Sequence, residues 1–123
     1  MPERTLDGCR ILVVEDEYLL ADDLRTGLDD AGALVLGPVA TVDDALTLVG
    51  AEPRIDGAVL DVNLGGEPAY AVADLLIERH VPLVFTTGYD GTSLPSRFAD
   101  IARCEKPTTI KLITQAIGRV IHD

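Results

Sequence analysis

The chain has 123 residues, enough for one domain with one core that needs no cross-links. Apolar residues make up 47% and aromatics only 4%, with no tryptophan, so the core must be built from Leu, Val, Ile and Ala. Acids outnumber bases 21 to 10 for a formal charge of -11, which repels nucleic acid and anionic lipid and argues against both as partners.

The first strand is "RILVV", and the following helix places Leu20, Leu24, Leu28 and Ala31 on one face before stopping at Gly32. "ALVLGPVA" reads as a second strand that leaves through Gly37-Pro38. Thr41 with Asp44 three residues on resembles a capping box for a helix through about Val49. "DGAVLD" is a third strand ending at Asp61. Pro68 then sits where a first helical residue belongs, and Val72, Leu75, Leu76 and Arg79 carry the helix to a break at His80-Val81-Pro82. Strand four is "LVFTT". The span "GYDGTSLPSRFAD" holds two glycines and a proline, so the fourth helix is expected to be short or irregular. A brief strand near Ile101 to Cys104 leads into Lys106-Pro107, and Ile110, Ile113, Ile117, Val120 and Ile121 stripe a terminal helix. Cys9 and Cys104 match no metal spacing and read as reduced, small hydrophobes. The apolar stretch near the N-terminus is too short for a signal peptide or membrane span, so a cytoplasmic location is expected.

Short apolar runs alternating with helical stretches predict an α/β fold with a parallel sheet and helices on both faces. Such a sheet collects its strands' C-terminal ends on one edge, where ligand sites lie. There it gathers Glu15, Asp16 and Glu17 from strand one, Asp61 from strand three, Thr86 and Thr87 from strand four, and Lys106 from strand five. Carboxylates about 5 Å apart repel by roughly 3 kcal/mol per pair at an effective dielectric near 20. Either one acid stays protonated or a divalent cation is shared among them, and oxygen ligands without His or Cys favour Mg²⁺. Glu17 also fits an acid complementing the helix macrodipole.

The motifs "ILVVEDE", "VLDVNLGGE", "VFTTGY" and "EKP", in that order and at these separations, resemble the receiver domain of two-component response regulators over essentially the whole chain. The resemblance implies a doubly wound five-stranded sheet in the order 2-1-3-4-5, an arrangement for which a response regulator is itself the standard illustration. It implies that Asp61 accepts a phosphoryl group from the phosphohistidine of a sensor histidine kinase. Asp16 and Asp61 would ligate Mg²⁺ directly, Glu15 largely through water, and Asn63 through its backbone carbonyl; Thr87 and Lys106 would meet phosphoryl oxygens. A cis Lys106-Pro107 bond is also a family trait.

Two departures stand out. Arg103 occupies the place of the family's switch aromatic, and "VPLVFTTGYD" is similar to the Pro-Phe-x-Phe-Ala-Thr-Gly-Tyr motif of an atypical subgroup, the FATGUY receivers, with Leu83 and Thr86 replacing its Phe and Ala. Tyr89 would then be the conspicuous aromatic, and phosphorylation would reorder the Gly88 to Pro95 segment. That subgroup implies a single receiver domain over 1–123 without an output domain, a monomer or weak dimer. Its partners would be an HWE-type sensor kinase and a downstream protein or phosphotransfer protein. It would be a phosphoacceptor rather than a turnover enzyme.

Three other readings compete. A phosphatase with an aspartyl nucleophile of the haloacid dehalogenase type is suggested by "LDVN", but its motif wants a second Asp where Asn63 stands, on the first strand. A flavodoxin-like module binding a nucleotide or flavin phosphate is opposed by "EDEYLL", which offers negative charge in place of glycines and bare amides. A docking module of the same fold that is never phosphorylated is opposed by the intact Asp16, Asp61, Thr87 and Lys106 set.

Overall fold

The computed structural model describes residues 6–88 and 94–122. Tyr89, and the Gly88 to Pro95 segment over its residues 89–93, lie outside the described residues. Five strands form one parallel sheet: β1 (Arg10–Val14), β2 (Leu34–Val39), β3 (Gly57–Asp61), β4 (Leu83–Thr87) and β5 (Ala102–Glu105), in the spatial order 2-1-3-4-5. Among the described residues four α-helices alternate with them: α1 (Tyr18–Asp30), α2 (Val42–Ala51), α3 (Tyr70–Glu78) and α4 (Ile110–His122). The expected doubly wound α/β architecture is therefore present. Among the described residues no helix is long and apolar enough to cross a membrane.

The alternation of a strand explains the two layers. Ile11, Val13, Val59 and Val84 face α1 and α4, where Leu24, Leu28, Ile113 and Ile117 meet them. Leu12, Leu60 and Phe85 point the other way, onto Val42, Val49, Val72 and Leu76 of α2 and α3. β3 and β4 are buried along their whole length, so their sequences read as continuous apolar runs rather than alternating ones. Each fully buried Leu, Ile or Phe contributes about 1.5–3 kcal/mol from lost apolar contact with water.

The helix ends follow local chemistry. The Thr41 hydroxyl accepts the Asp44 N–H at 3.1 Å, starting α2. α1 closes on Gly32 at φ 93°, while the Ala33 N–H donates to the Leu28 carbonyl at 3.0 Å, the pattern of a glycine C-cap. Cys9 and Cys104 are free and partly buried, and burial pushes both thiols above their ordinary range.

Three details differ from expectation. Gly37-Pro38 lies inside β2 rather than at its exit, joined by a cis peptide bond. Gly37 has φ 93°, which interrupts the ladder between Leu12 and Val14, and pairing resumes where Val14 meets Val39. Pro68 does not open α3. It pairs with Asn63 in a two-residue antiparallel ribbon, because Gly65 and Gly66, at φ 61° and 94°, fold the chain back before Tyr70 starts the helix. Arg79 does not extend the apolar face of α3 but caps α2: its guanidinium donates to the carbonyls of Val49, Glu52 and Pro53, groups that a helix end leaves without partners.

Among its described residues, the connection from β4 to β5 carries a 3₁₀ turn, Ser96–Phe98, where the short or irregular fourth helix was expected. Phe98 is fully buried, edge-on to Phe85 with centroids 5.5 Å apart and tilted against Tyr70 at 5.6 Å. Arg97 forks onto Asp74 of α3 at 3.0 and 3.1 Å and lies 4.5 Å over the Phe98 ring.

Ile117 is fully buried between α4 and the sheet, whereas Leu112 on the same helix is 54% exposed. Ile117→Ala is expected to lower the unfolding free energy by about 2–5 kcal/mol, and Leu112→Ala by no more than about 0.5 kcal/mol, both read from urea denaturation.

Candidate functional site

The functional candidates converge where β1, β3, β4 and β5 end. Glu15 follows β1 and is 2% exposed, Asp61 closes β3 at 4%, and Thr87 closes β4 at 2%. Asp16 and Asn63 stand on the exposed rim. Lys106 follows β5, and its N–H donates to the Thr87 carbonyl at 2.6 Å, locking the ends of β4 and β5 together. The Lys106-Pro107 bond is cis.

The Lys106 ammonium donates to Asp61 Oδ2 at 2.8 Å and to Glu15 Oε2 at 3.3 Å, and it lies 3.7 Å from Glu17 Oε1. Burial pulls this amine's pKa down, but the Asp61 hydrogen bond and the charges of Asp61 and Glu15 outweigh it and hold the group above its ordinary range. Glu15 is in the opposite position. Burial pushes its carboxyl up to about 7, against the Glu17 N–H that donates to Oε2 at 3.0 Å, and the Asp61 charge adds to the rise. One ammonium cannot neutralise both acids fully, and it sits nearer to Asp61.

The surrounding turn orients what the lysine does not. The Asn63 N–H donates to Asp61 Oδ1 at 3.1 Å, so both oxygens of Asp61 are engaged. The Asn63 side chain accepts the Gly66 N–H at 2.8 Å and is committed to the turn, which leaves its backbone carbonyl as the group it can offer a ligand. Asp16 Oδ2 accepts the Gly65 N–H at 2.8 Å. The sequence reading missed this bond, although the adjacent glycines Gly65 and Gly66 signalled a tight turn. It also gave Thr86 no role; Thr86 is fully buried beside Asp61 with a hydroxyl that has no hydrogen-bond partner.

Glu15, Asp16 and Asp61 each present an oxygen within 4.8 Å of the others. Glu15 Oε1 is buried and accepts no hydrogen bond, though it lies 3.2 Å from the ammonium. A hard, all-oxygen donor set with one oxygen that accepts no hydrogen bond fits a divalent cation of the Mg²⁺ class. A shallow pocket of about 290 Å³, lined by Asp16, Asp61, Asn63, Gly88 and Lys106 among others, opens the cluster to solvent.

Between pH 4.5 and about 7 the folded state keeps a proton on Glu15 that the unfolded chain has released. Stability without divalent cation should therefore fall as pH rises through that window. Glu15→Gln is neutral throughout and is expected to remove that decline, measured as urea midpoints in EDTA across the window. An unchanged slope would assign the effect to another group.

No family model matches the sequence. The phyllosphere-induced regulator PhyR of Methylorubrum extorquens is 34% identical over 90 residues, which cover 72% of this chain and 32% of that protein, so the match spans about a third of that relative's length. Among solved structures, a response regulator receiver protein from Sinorhizobium medicae WSM419 superposes with a TM-score of 0.79 at 27% identity, over 95% of this chain and 97% of that one. The solution structure of SdrG from Sphingomonas melonis Fr1 gives a TM-score of 0.81 at 39% identity, over 94% of this chain and 98% of that chain. Identity at this level across both full lengths goes beyond a shared fold, and the chain belongs to the response regulator receiver domains.

Proposed function

We propose that the chain is a phosphoacceptor of a two-component system in which Asp61 receives the phosphoryl group of a histidine kinase. The observation that carries this reading is the Lys106 ammonium held 2.8 Å from a buried Asp61 oxygen, in a corner with two further acids. Phosphoryl transfer through a loose transition state asks for alignment and charge neutralisation more than for bond-making groups.

In the proposed reaction an Asp61 carboxylate oxygen forms the new bond to phosphorus while the bond from phosphorus to the imidazole nitrogen breaks, leaving a mixed anhydride on Asp61. The Asn63 N–H steadies the second Asp61 oxygen. Lys106 brings its ammonium to a phosphoryl oxygen, a motion that its flexible stem permits. The Thr87 hydroxyl supplies a hydrogen bond to another. Glu15, Asp16, Asp61 and the Asn63 backbone carbonyl are the groups that would hold Mg²⁺, which when bound supplies further neutralisation of the phosphoryl charge.

The partners in this reading are a sensor kinase of the HWE type and a downstream or phosphotransfer protein, with the chain working in the cytoplasm. PhyR and SdrG support the kinship with regulators of this kind. The phosphatase reading loses ground at Asn63. A second carboxylate would be needed there, and the side chain present is tied to the Gly66 amide.

Incubation with acetyl phosphate and Mg²⁺ is expected to add one phosphoryl group to the wild-type chain by intact mass. Asp61→Asn or excess EDTA should abolish the addition. Labelling that survives in Asp61→Asn would move the acceptor elsewhere and sink the assignment.

A further inference from the structure

We propose that Thr86 is a positioning residue for Lys106: its buried hydroxyl receives the ammonium when a divalent cation takes the carboxylates of Glu15 and Asp61. This inference rests on the reading that those carboxylates hold Mg²⁺.

The register of the sheet places the groups. Asp61 pairs with Thr86, and Thr86 with Cys104; extending the Val14 to Leu60 pairing by one residue sets Glu15 beside Asp61. Glu15, Asp61, Thr86 and Cys104 thus form one row across β1, β3, β4 and β5. Two residues earlier on each strand, Val13, Val59, Val84 and Ala102 all belong to the layer beneath α1 and α4, so alternation turns the whole row to that same face.

Lys106 starts two residues beyond Cys104, at the β5 end of the row, yet its ammonium reaches Asp61 at 2.8 Å and Glu15 at 3.2 Å on β3 and β1. Extending the Thr87 to Glu105 pairing by one residue sets Lys106 beside Gly88, so the stem crosses the end of β4 two residues beyond Thr86, on the face to which Thr86 turns. Thr86 is 0% exposed, and its Oγ1 has no hydrogen-bond partner. Glu15 Oε1 is the other buried side-chain atom in that condition among the described residues, and the two flank Asp61. A buried hydroxyl without a partner is destabilising, and valine would fill the same space without that cost. The hydroxyl is thus poised for a partner that arrives in another state of the site.

That partner is the ammonium. A divalent cation among Glu15, Asp16 and Asp61 repels the lysine from the oxygens it now holds. Drawn back along its own stem, the ammonium next meets the row at Thr86 Oγ1, a neutral acceptor that does not compete with the cation. From there it remains within the corner, ready for an incoming phosphoryl oxygen. Without the hydroxyl, the ammonium either stays on the carboxylates and opposes the cation or is lost to solvent.

The test is calorimetric titration with Mg²⁺ alone of the wild type, Thr86→Val, Thr86→Ser, Lys106→Met and the Thr86→Val/Lys106→Met double variant, alongside urea unfolding of each. Thr86→Val should bind Mg²⁺ about five- to tenfold more weakly, in line with one hydrogen bond to a charged group, while unfolding at an equal or higher urea concentration. Thr86→Ser should retain wild-type affinity. With Lys106→Met present, Thr86→Val should change nothing further, since its effect runs through the ammonium. Wild-type affinity in Thr86→Val, an equal loss in Thr86→Ser, or a loss that persists beside Lys106→Met would each overturn the proposal. Failure of the wild type itself to bind Mg²⁺ would instead refute the cation site, and this inference with it.

Discussion

A single ammonium, that of Lys106, spans two carboxylates that the sheet forces out of water. Glu15 and Asp61 end adjacent strands at a buried edge, and the lysine that partners them lies 91 and 45 positions away in the chain. Only the parallel topology brings the three together. The acid with the shorter contact and an added backbone donor, Asp61, is held in place from both sides. The other, Glu15, is left with its pKa pushed up to about 7 by burial.

The rest of the edge keeps that arrangement from relaxing. The Lys106 amide is fixed to the Thr87 carbonyl, so the lysine's backbone cannot drift from β4. The Gly65 and Gly66 turn presents amides to Asp16 and Asn63 and thereby ties the rim of the pocket to the start of α1. A site whose proposed chemistry is mostly electrostatic gains from such rigidity, because prealigned dipoles need not reorganise when charge moves. Membership of the receiver family and the geometry of the corner thus point in the same direction from independent observations.

Much of this was legible in the sequence because apolar runs of four to six residues leave little choice of element. "RILVV", "DGAVLD" and "LVFTT" could be placed as strands, and their polar C-terminal residues then had to share an edge, so Glu15, Asp61, Thr87 and Lys106 could be grouped without coordinates. What escaped were features decided by contacts distant in sequence. Pro68 was assigned to a helix start because proline suits that place, but the two preceding glycines had already turned the chain into a ribbon. Arg79 looked like the end of an apolar stripe, and only the spatial approach of α2 shows it closing that helix's carbonyls. Thr86 was grouped with the edge residues but given no role; its lack of a hydrogen-bond partner is visible only once the neighbouring strands are in place.

Among the described residues between β4 and β5, Phe98 is the side chain fully buried in the core, with Leu94 and Ile101 packed partly against it. Phe98 fills the space between Phe85 and Tyr70, steadied from outside by the fork of Arg97 onto Asp74. With full burial among these described residues at one position, a change in the length of the crossover costs little, at roughly 0.6 kcal/mol for each doubling of a loop's length. A lineage carrying this architecture can therefore lengthen, shorten or recompose that crossover to suit new binding surfaces while the phenylalanine keeps the interior sealed.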